Sequence, residues 1–467
     1  VDAAGTEVRV DEAALRRLNT SFKGEIVLPD DPAYDERRAV WNGSIDRHPA
    51  VIARCRDAED VTAALRFATG TGLPVAVRGG GHSFPGHSVC DDGIVIDLGP
   101  MKGIRVDPDA RTVRAEPGLL WGEFDAATQA HGLATTGGFV SHTGVAGLTL
   151  GGGIGWLHRK HGLTIDQLIA VDLVTAAGER VTASEDEDPE LFWGVRGGGG
   201  NFGIATEFEF RLHEVGPTVL AGPIFWRMED APAVLRFYRD WIADAPDELM
   251  TIPIQRRAPA VELVPPELRG ELVIVVACCY SGPIEEGEAI LRPLREFGSP
   301  VLDGCVPKPY VEHQGAFDAA YRHGWHYYFR SCDVGGLTDD VIDVMVDQGS
   351  RIESPISSVA LWQMGGAVAR VGEAETAFNG RDAAYTFNIN GNSMSPDGAD
   401  AEREWARAYW SALEPHHTSV YVNFLMDEGE DRIRAAYGAD RYDRLKALKR
   451  AHDPENVFRL NQNIAPD

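Results

Sequence analysis

Three glycine-dense runs between residues 79 and 203 constrain this chain more than anything else in it. The first is Arg78-Gly79-Gly80-Gly81-His82-Ser83. The second joins Gly144-Val145-Ala146-Gly147 to Gly151-Gly152-Gly153-Ile154-Gly155. The third is Arg196-Gly197-Gly198-Gly199-Gly200-Asn201-Phe202-Gly203. Without a Cβ, glycine takes positive φ at no cost and lets backbone N–H groups come close to an anion. One such run reads equally well as a turn between strands. Three runs in one region point to a long ligand threaded past several loops. None is a GxGxxG followed about 20 residues later by an acidic residue, so a Rossmann dinucleotide unit is not supported. No GxxxxGK[ST] loop occurs either.

The sequence around these runs gives them a frame. PAVIARC from Pro49 reads as a strand, and DAEDVTAALRFATGTG as a helix capped by Asp57, with Asp60 near its positive end and Gly70 or Gly72 closing it. LPVAVRGGGHS is a strand running into the first glycines. GIVIDLG is another strand, and GIRVDPDARTVRAEPG is a hairpin turning at Asp107-Pro108-Asp109. Further strands fall at about 169–175 and 180–183, and the first domain ends near Val215. Residues 1–40 read as an N-terminal helix and lead-in. Residues 216–420 alternate strand-like runs (LVIVVACCY, SPISSVALWQMGG) with helix-forming ones (GEAETAF, REWARAYWSAL), which fits an antiparallel sheet covered by helices. YDRLKALKRAHDPENVF is an amphipathic helix with a stop signal.

Length and charge narrow the classes. A chain of 467 residues implies two or three domains, and 44% hydrophobic residues supply a sizeable core. The formal net charge of −27 excludes nucleic acid and anionic membrane surfaces as expected partners. Cys55, Cys90, Cys278, Cys279, Cys305 and Cys332 form no zinc or disulfide framework. Cys278 and Cys279 sit in an apolar run at 272–280 that reads as a buried strand and is far too short to span a bilayer. VDAAGTEVRV has no basic or apolar leader pattern. Localisation stays open between the cytoplasm and export after signal removal, as does the choice of monomer or homo-oligomer.

VAVRGGGHSFPGHS, TGVAGLTLGGGIGWLHRKHGLTIDQL, LFWGVRGGGGNFGIATEFEF and DPENVFRLNQNI together resemble the berberine-bridge-enzyme-like branch of the vanillyl-alcohol-oxidase flavoproteins. The resemblance covers nearly the whole chain, more loosely in the middle. It implies an α+β fold: a two-lobed PCMH-type FAD-binding domain plus a substrate domain with an antiparallel sheet covered by helices. The FAD domain would span 1–215 (core about 46–215), the substrate domain 216–420, and residues 421–467 would return to the FAD domain. It also implies FAD bonded through its 8α-methyl to His82, a competent nucleophile when neutral. His87 reads as a loop residue. Arg78, Gly79, Gly80, Gly81 and Ser83 would hold the pyrophosphate. Gly144, Gly147, Gly152, Gly153, Gly155 and His158 would line the adenine–ribose and ring-side path. Gly203 and Ile204 would meet the adenine end, and Asn423 and Asn461 the flavin.

Departures from the family pattern matter as much. Many members carry a second link, from a cysteine to flavin C6; Val140 occupies that place here, so a single covalent link is expected. Thr143 falls near the family's oxygen gate, and Leu148 where a polar residue often shapes the oxygen pocket. On the substrate side, Tyr421 of Tyr421-Val422-Asn423-Phe424 resembles a returning strand of the family and is the base candidate. Trp362 and Gln363 are placed on the substrate face, with Gln363 orienting a polar group. Tyr328 and Arg330 resemble a strand facing the site. Glu373 and Glu375 read as a solvated turn. His158 and His161 lack a third ligand, so no metal is expected. Three readings follow: an oxidase passing hydride from a small organic substrate to FAD and then electrons to O2, giving hydrogen peroxide; a dehydrogenase using another acceptor; and a flavin-carrying binding protein without turnover.

Overall fold

The computed structural model describes residues 12–467; VDAAGTEVRV and the start of the lead-in lie outside the described residues. The expected lead-in helix is present at Glu12–Ser21. Asp57 accepts the N–H of Asp60 and caps the helix Ala58–Thr71, and Gly72, at φ 72°, closes it.

Two sheets carry the first and third glycine runs, and the second run flanks the short helix Val145–Leu150. In the first sheet, Val51–Arg54, Ile94–Asp97 and Val75–Arg78 run parallel, with Glu25–Val27 antiparallel at the edge. Its strands are buried on both faces, as parallel strands must be. The second is antiparallel, in the order Ile104–Asp107, Thr112–Ala115, Ile204–Arg211, Leu168–Val174, Arg180–Ser184.

The middle of the chain builds a large antiparallel sheet containing Thr218–Arg227, Leu272–Tyr280, Leu249–Arg257, Ser358–Gln363, Tyr385–Ser393 and His326–Val334, in that order. Four helices, Ala231–Ile242, Ile284–Arg295, Asp339–Gly349 and Ala399–Leu413, cover one face. Alternation divides the side chains: Val359, Leu361, Phe387 and Ile389 pack under these helices, while Ala360 and Trp362 join the core shared with the glycine-rich half.

Three local expectations change. GEAETAF forms turns: the Gly372 N–H bonds to Glu375 and the Ala377 N–H to the Arg196 carbonyl. Seven residues are too few to sustain a helix against such tertiary partners. Tyr421 precedes a single 3₁₀ turn, Val422–Phe424, where a returning strand was expected. Tyr328 and Arg330 point to the helix layer, where Arg403 and Arg407 cover Tyr328 and Arg330 stacks on Trp410. Phe329, between them, faces the other way.

Candidate active site

A cleft enclosing about 1860 Å³, its open mouth included, runs from the parallel sheet to the cavity-facing side of the large sheet. Val75, Val77, Leu98 and Ile204 line one end, and Phe329, Trp362 and Asn388 the other. All three glycine runs reach it, through Gly79–Gly81, Gly144 with Gly147, and Gly199–Gly200 with Gly203. Backbone proximity explains the composition. A Cβ on Gly80 would lie 2.5 Å from the Gly144 backbone, so the first two runs can meet only as glycines. A Cβ on Gly147 or Gly200 would meet no protein atom within 4 Å, so at these two points the wall is open to a ligand.

The third run is fixed from two sides. Gly197 and Gly199 donate to the Leu150 carbonyl. Asn201 bonds to the Gln462 carbonyl and the Ile464 N–H, and Asn461 to the Gly200 carbonyl. Lys449 and Asp453, both fully buried, lie 2.7 Å apart, and the ammonium also donates to the carbonyls of Asn201 and Phe458.

His82 lines the cleft. Its Nε2 is buried with no partner, and burial pushes its pKa well below the ordinary histidine value, so the imidazole is neutral. The Trp41 indole stacks on it at 4.1 Å, and Trp41 stacks in turn on Tyr327 at 3.8 Å. His142 lies 5.1 Å from the His82 ring and 4.9 Å from His323. Asn42 ties this corner together, donating to the carbonyls of Phe84 and Tyr327 and accepting the Tyr327 N–H. Sequence reading missed Trp41, Asn42, His142 and His323; they are brought to His82 only by folding, and no local motif marks them.

Ser83, Val140, Thr143, Leu148, Tyr421, Asn423 and Asn461 also line the cleft. The Tyr421 hydroxyl accepts from the Gly153 N–H at 2.9 Å and from Asn423 Nδ2 at 2.8 Å. Burial still pushes its pKa up to about 12, outweighing those two donors. It is therefore a phenol at neutral pH, suited to donate its hydrogen rather than to take a proton as the base role requires. His87, read as a loop residue, also lines the cleft, with its pKa lowered by burial to about 4.

Other expected residues stand off the lining. Arg78 is buried behind it, donating to Asp97 at 2.9 Å across the parallel pair. Gly152, Gly153 and Gly155 pack against Phe378, Thr164 and the Gly137 carbonyl. His158 has its ring nitrogens 2.6 Å and 2.8 Å from the carbonyls of Gly155 and Gln363. Gln363 points away from Trp362 into the helix layer, where its Oε1 accepts from Thr251, whose hydroxyl pairs with Tyr238. Consecutive strand residues face opposite ways, so Trp362 and Gln363 cannot both reach the site. Glu373 pairs with Arg441 on the surface. The six cysteines are buried and absent from the lining. Among the described residues no His, Cys, Asp or Glu cluster could hold a metal, and no helix is long and apolar enough to cross a membrane.

The groups that line the cleft fit FAD: glycine backbone along its length, an aromatic ring-side end, and a neutral histidine with a free buried nitrogen. The family comparisons agree. The FAD binding domain family matches residues 49–184, and the berberine and berberine-like family matches residues 420–465. An uncharacterized FAD-linked oxidoreductase of Bacillus subtilis, YgaK, is 32% identical over 96% of this chain and 98% of its own length. The (R)-6-hydroxynicotine oxidase of Paenarthrobacter nicotinovorans is 31% identical, with the same two coverages. The crystal structure of 6-hydroxy-D-nicotine oxidase from Arthrobacter nicotinovorans superposes with a TM-score of 0.86 at 29% identity, covering 96% of this chain and 99% of that one. Motifs, fold and relatives converge: this chain belongs to the berberine-bridge-enzyme-like, PCMH-type FAD-linked oxidoreductases.

Proposed function

We propose that this enzyme oxidises a small organic substrate with FAD held by one covalent bond, through His82, and that O2 reoxidises the flavin to give hydrogen peroxide. The observation that carries the attachment is the buried, partnerless Nε2 of a neutral imidazole in the cleft lining. An unmet buried nitrogen costs about 1–3 kcal/mol, which a bond to the ligand removes. Val140 in the lining, with every cysteine elsewhere, supports a single link.

Residues 1–215 and 421–467 would hold the cofactor and 216–420 would present the substrate. When bound, FAD accepts a hydride from a substrate carbon and later delivers two electrons to an acceptor. The chain's own groups do the rest. Gly79–Gly81 and Ser83 would hold the pyrophosphate, Gly203 and Ile204 would meet the adenine end, and Asn423 and Asn461 the flavin. Tyr421, fixed by Gly153 and Asn423, would hydrogen-bond the reacting oxygen or nitrogen, and the proton that an alcohol releases with its hydride would leave to water at the open mouth of the cleft. Thr143 and Leu148 border the path for O2.

The test is acid precipitation of the holoenzyme with peptide mapping, followed by stopped-flow mixing of the reduced enzyme with air. Flavin on the His82 peptide and rapid reoxidation are the expected results. Colourless protein would reject the link, and negligible reoxidation would reject O2 in favour of another acceptor.

A further inference from the structure

The walls of the cleft at its substrate end restrict what can be oxidised there. Phe139 and Trp362 stack at 4.1 Å, and Phe317 and Phe424 flank them at 6.4 Å and 6.3 Å. Phe329 completes this end. No Asp, Glu, Lys or Arg side chain lines the cleft among the described residues. Arg256 is paired in register with Ser358 on the adjacent strand but stands off the lining, with its Nε donating to the Arg257 carbonyl. Two polar groups in this apolar end are unmet: the donor Nε1 of Trp362, and Asn388, 4% exposed, which lines the cleft with its acceptor Oδ1 buried and without a partner. It lies in register with Ala360, on the sheet face that also carries Trp362.

We propose that the substrate is an uncharged, flat aromatic molecule carrying one hydroxyl or N–H group, which donates to Asn388 Oδ1. This rests on the reading of the cleft as the flavin and substrate site. Aromatic walls favour a flat π-system through stacking and area burial. A carboxylate or ammonium would be desolvated with no counter-charge in the wall. A saccharide would bury several hydroxyls against phenyl faces, each unmet group costing about 1–3 kcal/mol. A single donor meets Asn388 Oδ1, the orphan acceptor at this end.

The test uses the purified holoenzyme under anaerobic conditions, after dithionite has shown that the flavin can be bleached. Three sets are compared: neutral benzylic alcohols and aryl-substituted secondary amines, mono- and oligosaccharides, and benzoate-type carboxylates of the same size. Flavin bleaching reports turnover, and shifts in the flavin absorbance report binding. The aryl alcohols and amines should bleach fastest and bind at least tenfold more tightly than the carboxylates. Faster bleaching by saccharides, or equal binding of carboxylates, would overturn the substrate class and leave the oxidoreductase reading standing. Bleaching by dithionite but by no compound would overturn both.

An Asn388→Leu variant locates the contact. Binding of benzyl alcohol should weaken about tenfold, the loss of one buried hydrogen bond, while binding of toluene should hold or tighten. Equal weakening of both ligands would mean that Asn388 only supports the fold and would reject its role.

Discussion

The indole of Trp41 lies 4.1 Å from the imidazole of His82, 17° from parallel. Trp41 is itself held by its N–H on the Tyr321 carbonyl at 2.8 Å. The stack fixes the plane of a ring whose Nε2 has no protein partner. Trp41→Leu should leave a folded protein that retains a smaller fraction of its flavin after acid precipitation. His82→Ala should retain none, with all colour in the supernatant.

Tyr421→Phe removes the oxygen that accepts from the Gly153 N–H and from Asn423 Nδ2, which keeps its bond to the Leu148 carbonyl. Loss of a hydrogen bond made to the reacting group should slow anaerobic flavin reduction about 10- to 100-fold, or roughly 1.4–2.7 kcal/mol. If Tyr421 acts as a donor, the reduction rate of the wild type should show no ionisation from this residue between pH 6 and 9. A limb in that range, abolished by the substitution, would restore the base role.

Asp125 gives a pH signature remote from the flavin. It is fully buried, Gln314 donates to its Oδ2 at 2.7 Å, and its Oδ1 has no partner. Desolvation raises its pKa from 3.8 to about 7, against the lowering by Gln314. A raised carboxyl pKa favours the folded state fully below the unfolded value, and that contribution is lost as pH rises through the folded one. The loss is worth roughly 4 kcal/mol. Asp125→Asn keeps an acceptor for Gln314 and removes the ionisation. Its stability relative to wild type should therefore rise between pH 4 and 8 in urea titrations.

The Lys449–Asp453 pair should be intolerant of single replacement. Breaking a buried pair leaves an uncompensated charge and costs about 3–5 kcal/mol. Lys449→Met should therefore lower the melting temperature. Because Lys449 also holds the Asn201 carbonyl, the variant should lose FAD content when purified below its melting point.

The fold of the glycine-rich half was legible because its signals are local. Glycine runs after strands, caps such as Asp57, and long motifs sit within a few residues of the atoms they position. The substrate half was less so. Gln363 and Trp362 were placed together by adjacency, and the pleat separates them. Tyr328 and Arg330 were read one residue out of phase with Phe329. The first error arises because Ser358–Gln363 is buried on both faces, so apolar periodicity does not say which face is which; at Tyr328 and Arg330 the half-exposed face of the strand carries polar groups that meet the helix layer rather than the cleft. His142 and Trp41 were invisible for another reason: their meaning comes from a partner far along the chain. GEAETAF followed helix propensity, which tertiary hydrogen bonds overrode.

The closing stretch near Lys449 and Asn461 has a consequence for biosynthesis. Because it buttresses the glycines around Asn201, a nascent chain still lacking that stretch presents an unfinished nucleotide cradle, even with His82 long since synthesised. Flavin loading should then follow synthesis of residues 449–464, after the intervening sheet has folded and brought them to the glycines around Asn201. Chains that stop short of residue 449 should accordingly carry no pigment, and chains that include residues 449–464 should acquire it.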